Sequence, residues 1–95
     1  MQSNKLRELR NFSDPEYVMN KAKMMGLNPV HESSRKDKKY MVFDGRKMVH
    51  FGSLPFEDYT KHRDEERLIK FKKRNWKWQN APKYSPAWLS WYLLW

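Results

Sequence analysis

The chain contains no cysteine, which excludes a disulfide framework, thiolate zinc sites and cysteine nucleophiles. Glycine occurs only at Gly26, Gly45 and Gly52, too dispersed to form a phosphate-cradling loop, and no nucleophile elbow is present. The longest apolar stretch, Ala87 to Trp95 with Ser90 inside it, is about half of the ~20 residues that span a bilayer. The charged opening, Met1 to Arg10, has no apolar segment of the signal-peptide kind. These absences lead to the expectation of a soluble, intracellular protein. Acid is scarce too: eleven Asp and Glu stand against twenty Lys and Arg, for a net charge of +9 on 95 residues. Such a length holds one domain and buries roughly 60–65% of the surface that the unfolded chain exposes. A large interior catalytic cavity is therefore not expected, and ligands should bind on the outside. With 39% hydrophobic and 16% aromatic residues, there is enough core-forming material for a fold, unlike a basic disordered tail.

Residues 1–12 offer no face to bury and read as a flexible basic arm before a single domain over 13–95. Ser13 with Glu16 forms a capping-box pattern, Pro15 suits a first turn, and Phe12 and Tyr17 occupy the positions of a hydrophobic staple. Val18, Ala22 and Met25 continue a helical period that Gly26 ends, which predicts a helix over 14–25. The period then changes to two. Lys39 to Phe43 and Arg46 to Phe51 flank Asp44-Gly45, a dipeptide suited to a type I′ hairpin turn, and Val30 to Ser33 can add a third strand. Asp58 or Thr60 can cap a second helix reaching about Arg74, with acids near its start and bases near its end. Residues 75–84 read as irregular, and Ser85-Pro86 restarts a short helix through Leu94. The expected fold is α+β: a small three-stranded antiparallel sheet packed with an N-terminal helix, a basic second helix and a short Trp-rich C-terminal helix.

Charge accumulates along the chain, from +1 over residues 1–33 to +3 over 34–62 and +5 over 63–95. On a helical wheel Arg63, Arg67, Lys70 and Arg74 form one stripe, beside a face of Leu68 and Phe71 expected to pack on the sheet. Lys72, Lys73 and Lys77 extend the basic run, and Arg35, Lys36, Lys38, Lys39, Arg46 and Lys47 cluster around the hairpin. Two basic patches suit a polyanion held through its phosphates, with strong salt dependence and no sequence choice. A merely solvated face is the alternative, although the excess is larger than solubility asks for. A membrane-surface helix needs a broader apolar face than this one has. Trp76-Lys77-Trp78 suits either a stacking platform for bases or ordinary packing.

No catalytic or cofactor-binding constellation emerges. His31, His50 and His62 lack zinc spacing, and Glu57, Asp58, Asp64, Glu65 and Glu66, which a metal-dependent nuclease would need, are accounted for as helix-start acids. His62-Arg63-Asp64 matches the kinase catalytic-loop triplet, but every companion motif is missing.

Three segments carry a further signal: Lys39-Tyr40 with Gly45 to Gly52, then Asp58 to Arg67, then Trp88 to Trp95. Their V-H-F-G, D-Y-T-K-H-R-D and L-S-W-Y-L-L-W strings together resemble a family of small basic proteins encoded by nucleocytoplasmic large DNA viruses, over about residues 39–95. That resemblance implies a virion or nucleoid protein, also present in host cytoplasm or viral factory, that binds or compacts double-stranded DNA without sequence preference. It supplies no catalytic residues and leaves a capsid-associated role open. Physically, His50-Phe51-Gly52 reads as the end of the hairpin, and Asp58-Tyr59-Thr60 with His62 as a polar knot fixing the entry to the second helix. Trp88, Trp91, Leu94 and Trp95 offer enough apolar area to close a core or to form a homodimer or larger self-association. The alternative to DNA packaging is a minor structural virion protein acting through this Trp-rich end.

Overall fold

A computed structural model describes residues 3–95. Helices α1 (Asn4–Leu9) and α2 (Pro15–Met24) lead into strands β1 (Val30–Glu32), β2 (Lys38–Phe43) and β3 (Met48–Ser53). Helices α3 (Tyr59–His62) and α4 (Glu65–Arg74) follow, then a 3-10 segment (Trp76–Asn80), helix α5 (Pro86–Leu89) and a π-helical end (Ser90–Leu94). The strands form one antiparallel sheet in the order β1-β2-β3, so the expected α+β architecture holds.

The expected arm is instead structured where it is described; its residues 1 and 2 lie outside the described residues. Ser3 caps α1 by accepting the Leu6 N–H, and Leu9 is wholly buried in the core. Leu6, one turn before it, packs against the same core, and two apolar residues in a six-residue helix are too little periodicity to read in advance, yet they close one end of the core. The first cap is also shifted by one residue. Asp14, not Ser13, accepts the Tyr17 N–H at 3.1 Å, and Glu16 pairs with Arg10 rather than reaching back to Ser13. At the other end α2 closes as expected on Gly26, whose φ of 74° lets the Leu27 N–H reach the Ala22 carbonyl at 3.0 Å and the Gly26 N–H reach Lys23 at 3.1 Å. This double closure is the Schellman motif, and it delivers Leu27 into the core beside Ala22.

Register follows the period of two. Val30 faces Val42, and Tyr40 and Val42 face Phe51 and Val49, so one sheet face is apolar and packs with Leu9, Val18, Ala22, Leu89, Leu93 and Leu94. The hairpin turn is not type I′ on Asp44-Gly45, which needs positive φ at both residues. Only Gly45 has it, at 103°. The Asp44 carboxylate instead accepts the Arg46 and Lys47 N–H groups at 2.7 and 2.9 Å, a local bond that short acidic side chains form readily.

The predicted second helix is two helices. Asp58 caps α3, and Arg63 then enters the left-handed region at φ 55°. Asp64 starts α4 by accepting the Glu66 and Arg67 N–H groups at 3.0 and 3.2 Å. Two capping acids six residues apart compete with one continuous helix, and both are used. Residues 76–80 within the stretch expected to be irregular form the 3-10 segment. Phe71 does not join the sheet core; it stacks on Trp95 at 4.3 Å and 5° and meets Trp78 edge-on at 5.6 Å. Leu68, beside it on α4, is only half-buried.

Candidate nucleic-acid interface

A buried polar chain joins β2 and the start of α2 to α3, which leads into the basic helix α4. Thr60 Oγ1 donates its one proton to Asp58, so Ser13 Oγ, 3.1 Å away, must donate to Thr60. Ser13 in turn accepts the Tyr40 hydroxyl at 2.6 Å. The chain ends on the Asp58 carboxylate, which also takes the Lys39 ammonium at 3.0 Å. Every hydroxyl thus has a defined direction, from Tyr40 in β2 through the start of α2 to α3. The expected knot at Asp58 and Thr60 is present, and it ties together three parts of the chain. Burial away from water raises the Tyr40 phenol well above its ordinary range and lowers the Lys39 ammonium, against the pull of Asp58.

Lys39 is therefore not an interface residue. Its side chain is 2% exposed, whereas Arg35, Lys36, Arg46 and Lys47 of the same predicted patch are exposed and Lys38 is half-buried. His62 stands outside the knot: its Nδ1 accepts the Asp64 N–H at 2.9 Å, and its ring packs 5.2 Å from that of Trp95. Its buried Nε2 has no hydrogen-bond partner among the described residues. Burial, then the nearby Arg67 charge, holds the His62 pKa below the usual histidine value.

The α4 stripe is partly redistributed. Arg67, Lys70 and Arg74 lie on the exposed face of α4, but Arg63 sits in the link before it. Glu57 lies 3.7 Å from Arg67 and Glu66 lies 3.4 Å from Lys70, exposed pairs of little strength. Lys73 and Arg74 have no carboxylate within 4.0 Å among the described residues.

Folding also assembles two cationic groups that spacing did not reveal. In the first, Lys21 Nζ and Arg63 Cζ both approach the Tyr17 ring, at 5.8 and 4.8 Å from its centroid, while Lys72 lies over Trp91 at 4.7 Å. Lys21 is pushed below its ordinary pKa, first by burial and then by Lys72 and Arg63. Helix α2 and the α3–α4 region, distant in sequence, thus bring like charges together, with Asp14 4.0 Å from Arg63 and Glu65 bonded to the hydroxyl of Tyr59, whose ring Arg63 also covers. The second group lines a groove of about 450 Å³ beside β3, where Arg35, Lys47 and Lys83 surround Met48, His50 and Tyr84. His50 has its Nδ1 2.6 Å from Ser33 Oγ; burial, then Arg35 and Lys5, lowers its pKa. Lys21 and Lys83 were legible only as isolated bases in the sequence.

The tryptophans divide. Trp76 is 55% exposed with Lys77 over its ring at 5.7 Å, whereas Trp78 packs on Phe71. Trp91 and Leu94, expected as self-association residues, are buried, and Trp88 and Trp95 pack against the core. They close this chain's own interior. Among the described residues no three His, Asp or Glu side chains converge into a metal-ligating group. The acids considered for a nuclease are spread among caps and ion pairs. No helix among the described residues is long and apolar enough to cross a membrane.

Residues 29–75 match the model of a family of unknown function, DUF5754. The matched segment runs from the sheet through α3 and α4, and so contains the Lys39–Asp58 pair, Arg63 and the α4 bases. No curated protein and no solved structure matches the chain.

Proposed function

We propose that this protein binds double-stranded DNA without sequence preference, through backbone phosphates, and serves to package or compact a viral genome. The observation that carries this reading is the meeting of Lys21, Arg63 and Lys72 from α2, the α3–α4 link and α4. Holding like charges together costs free energy in the free protein, and a phosphate placed among them recovers it. The Arg63 backbone adds to the argument. A non-glycine residue at φ 55° costs about 1–2 kcal/mol, which glycine would avoid, so a guanidinium is kept where backbone energy disfavours it. Lys73, Arg74 and Lys77 and the hairpin bases Arg35, Lys36, Lys38, Arg46 and Lys47 extend the cationic surface. One molecule then has separate patches with which to hold neighbouring duplexes. The viral setting and the packaging role rest on the family resemblance of residues 39–95.

A gel-shift titration of unrelated duplexes, with magnesium present, tests this reading. Comparable binding to each duplex, left uncut, is expected, together with a large loss of affinity in Arg67→Glu/Lys70→Glu/Arg74→Glu and in Lys21→Glu/Lys72→Glu. Unchanged binding in both variants contradicts the assignment of the surface.

A further inference from the structure

The sheet has a second face, closed at the Lys39–Gly52 end, where Leu94 lies against Gly52, and open toward the hairpin turn. Strand alternation places His31, Met41, Phe43, Met48 and His50 on it, opposite the buried Val30, Tyr40, Val42, Val49 and Phe51. The register sets His31, Met41 and His50 in one cross-strand row and Phe43 beside Met48 in the next. Phe43 is 46% exposed and Met48 39%, two adjoining large side chains open to solvent. Met48 and His50 also line the groove rimmed by Arg35, Lys47 and Lys83. Asp44 also lines the groove, with a carboxylate oxygen on the Arg46 and Lys47 N–H groups, and its single negative charge leaves the three cations Arg35, Lys47 and Lys83 in excess.

Planar and polarisable side chains on a sheet, edged by cations, match the two halves of a single-stranded polynucleotide: bases that stack and phosphates that need positive charge. A duplex offers the phosphates but keeps its bases stacked on one another. We infer that the open face of the sheet, centred on Phe43, Met48 and His31 and bordered by Arg35, Lys47 and Lys83, binds unpaired bases of single-stranded DNA. This inference rests on the DNA-binding reading above and adds a mode of recognition at the hairpin patch: its cations hold phosphates of either a duplex or a single strand, and the open sheet face takes bases that are exposed.

The test is fluorescence anisotropy with labelled oligo(dT), oligo(U) and a random duplex, at low and moderate salt. The wild-type chain should retain oligo(dT) binding at moderate salt, where purely ionic duplex binding has faded. Phe43→Ala should weaken oligo(dT) binding about fivefold or more, the loss of one stacked base, and leave duplex binding at low salt unchanged. Phe43→Tyr should restore it. His31→Ala provides a second, exposed position if Phe43→Ala fails to fold by circular dichroism. Oligo(dT) binding that ignores both substitutions overturns the inference while duplex binding by the wild type stands. Tighter binding of oligo(U) than oligo(dT) overturns the assignment to DNA. Absence of all binding by the wild type overturns the reading on which the inference rests.

Discussion

The ammonium of Lys39 lies 3.0 Å from the carboxylate of Asp58, with the two side chains only 2% and 1% exposed. A buried pair of this kind is a poor source of net stability, but either partner alone is a charge without water or counterion. Lys39→Met and Asp58→Asn should each destabilise the fold by roughly 3–5 kcal/mol, read as a lower urea midpoint. Asp58→Asn also weakens the α3 cap and the hydroxyl chain from Tyr40. The double variant should cost less than the sum of the two. A sum of independent losses would contradict the pairing.

Gly52 and Gly45 both have positive φ, at 78° and 103°, but differ in surroundings. A Cβ on Gly52 would stand 3.0 Å from Leu94 Cδ1 and 3.1 Å from Lys39 Cβ, whereas nothing lies within 4 Å at Gly45. Gly45→Ala should carry only the backbone strain, about 1–2 kcal/mol. Gly52→Ala should cost more and should disturb the neighbouring Lys39–Asp58 pair. Equal thermal shifts in the two variants would show that the close approach to Leu94 and Lys39 is not a constraint.

Trp91 is buried with Lys72 over its ring, and Leu94 is 2% exposed within the core. Trp91→Ala and Leu94→Ala should therefore lower stability by about 2–5 kcal/mol in a manner independent of protein concentration. A concentration-dependent melting temperature in the wild type, abolished by these variants, would instead place them at an interface between copies.

The elements were legible where local chemistry determines them. Gly26, the alternating strands, the Asp58 cap and Ser85-Pro86 all act within a few residues of themselves. The Ser85 hydroxyl accepts the Trp88 N–H at 3.2 Å as its position suggests. What stayed hidden depended on contacts across the fold. Lys39 reads as one more base of the hairpin cluster until Asp58, nineteen residues later, arrives beside it. Leu9 reads as part of an arm until the core closes over it. The α4 bases were visible as a helical stripe, but the Lys21–Arg63–Lys72 group joins α2 to α4, and Lys83 reaches its groove through the last turn before α5. Arg63 left the stripe because the competing cap at Asp64 ended one helix and began another.

Histidine charging sets the direction of the pH response. His50 and His62 both have pKa values below the ordinary 6.5 in the folded chain, so between their folded and unfolded values the unfolded state binds more protons. Stability contributed by these groups is present above about pH 6.5 and falls as pH drops toward their folded values. His62 has a direct reason: a proton on Nδ1 displaces the Asp64 N–H that it accepts. Urea midpoints should decline from pH 7 to pH 5, and less steeply in His62→Gln. A midpoint that rises on acidification would contradict the sign.

The most direct measurement is the slope of log affinity against log salt for two unrelated duplexes, on the wild type and on Arg63→Gln. Phosphate-backbone binding predicts one steep slope shared by both duplexes, and a slope smaller by about one in Arg63→Gln. A shallow slope, or affinities that separate the two sequences while Arg63→Gln behaves as the wild type, would contradict binding through this cationic surface.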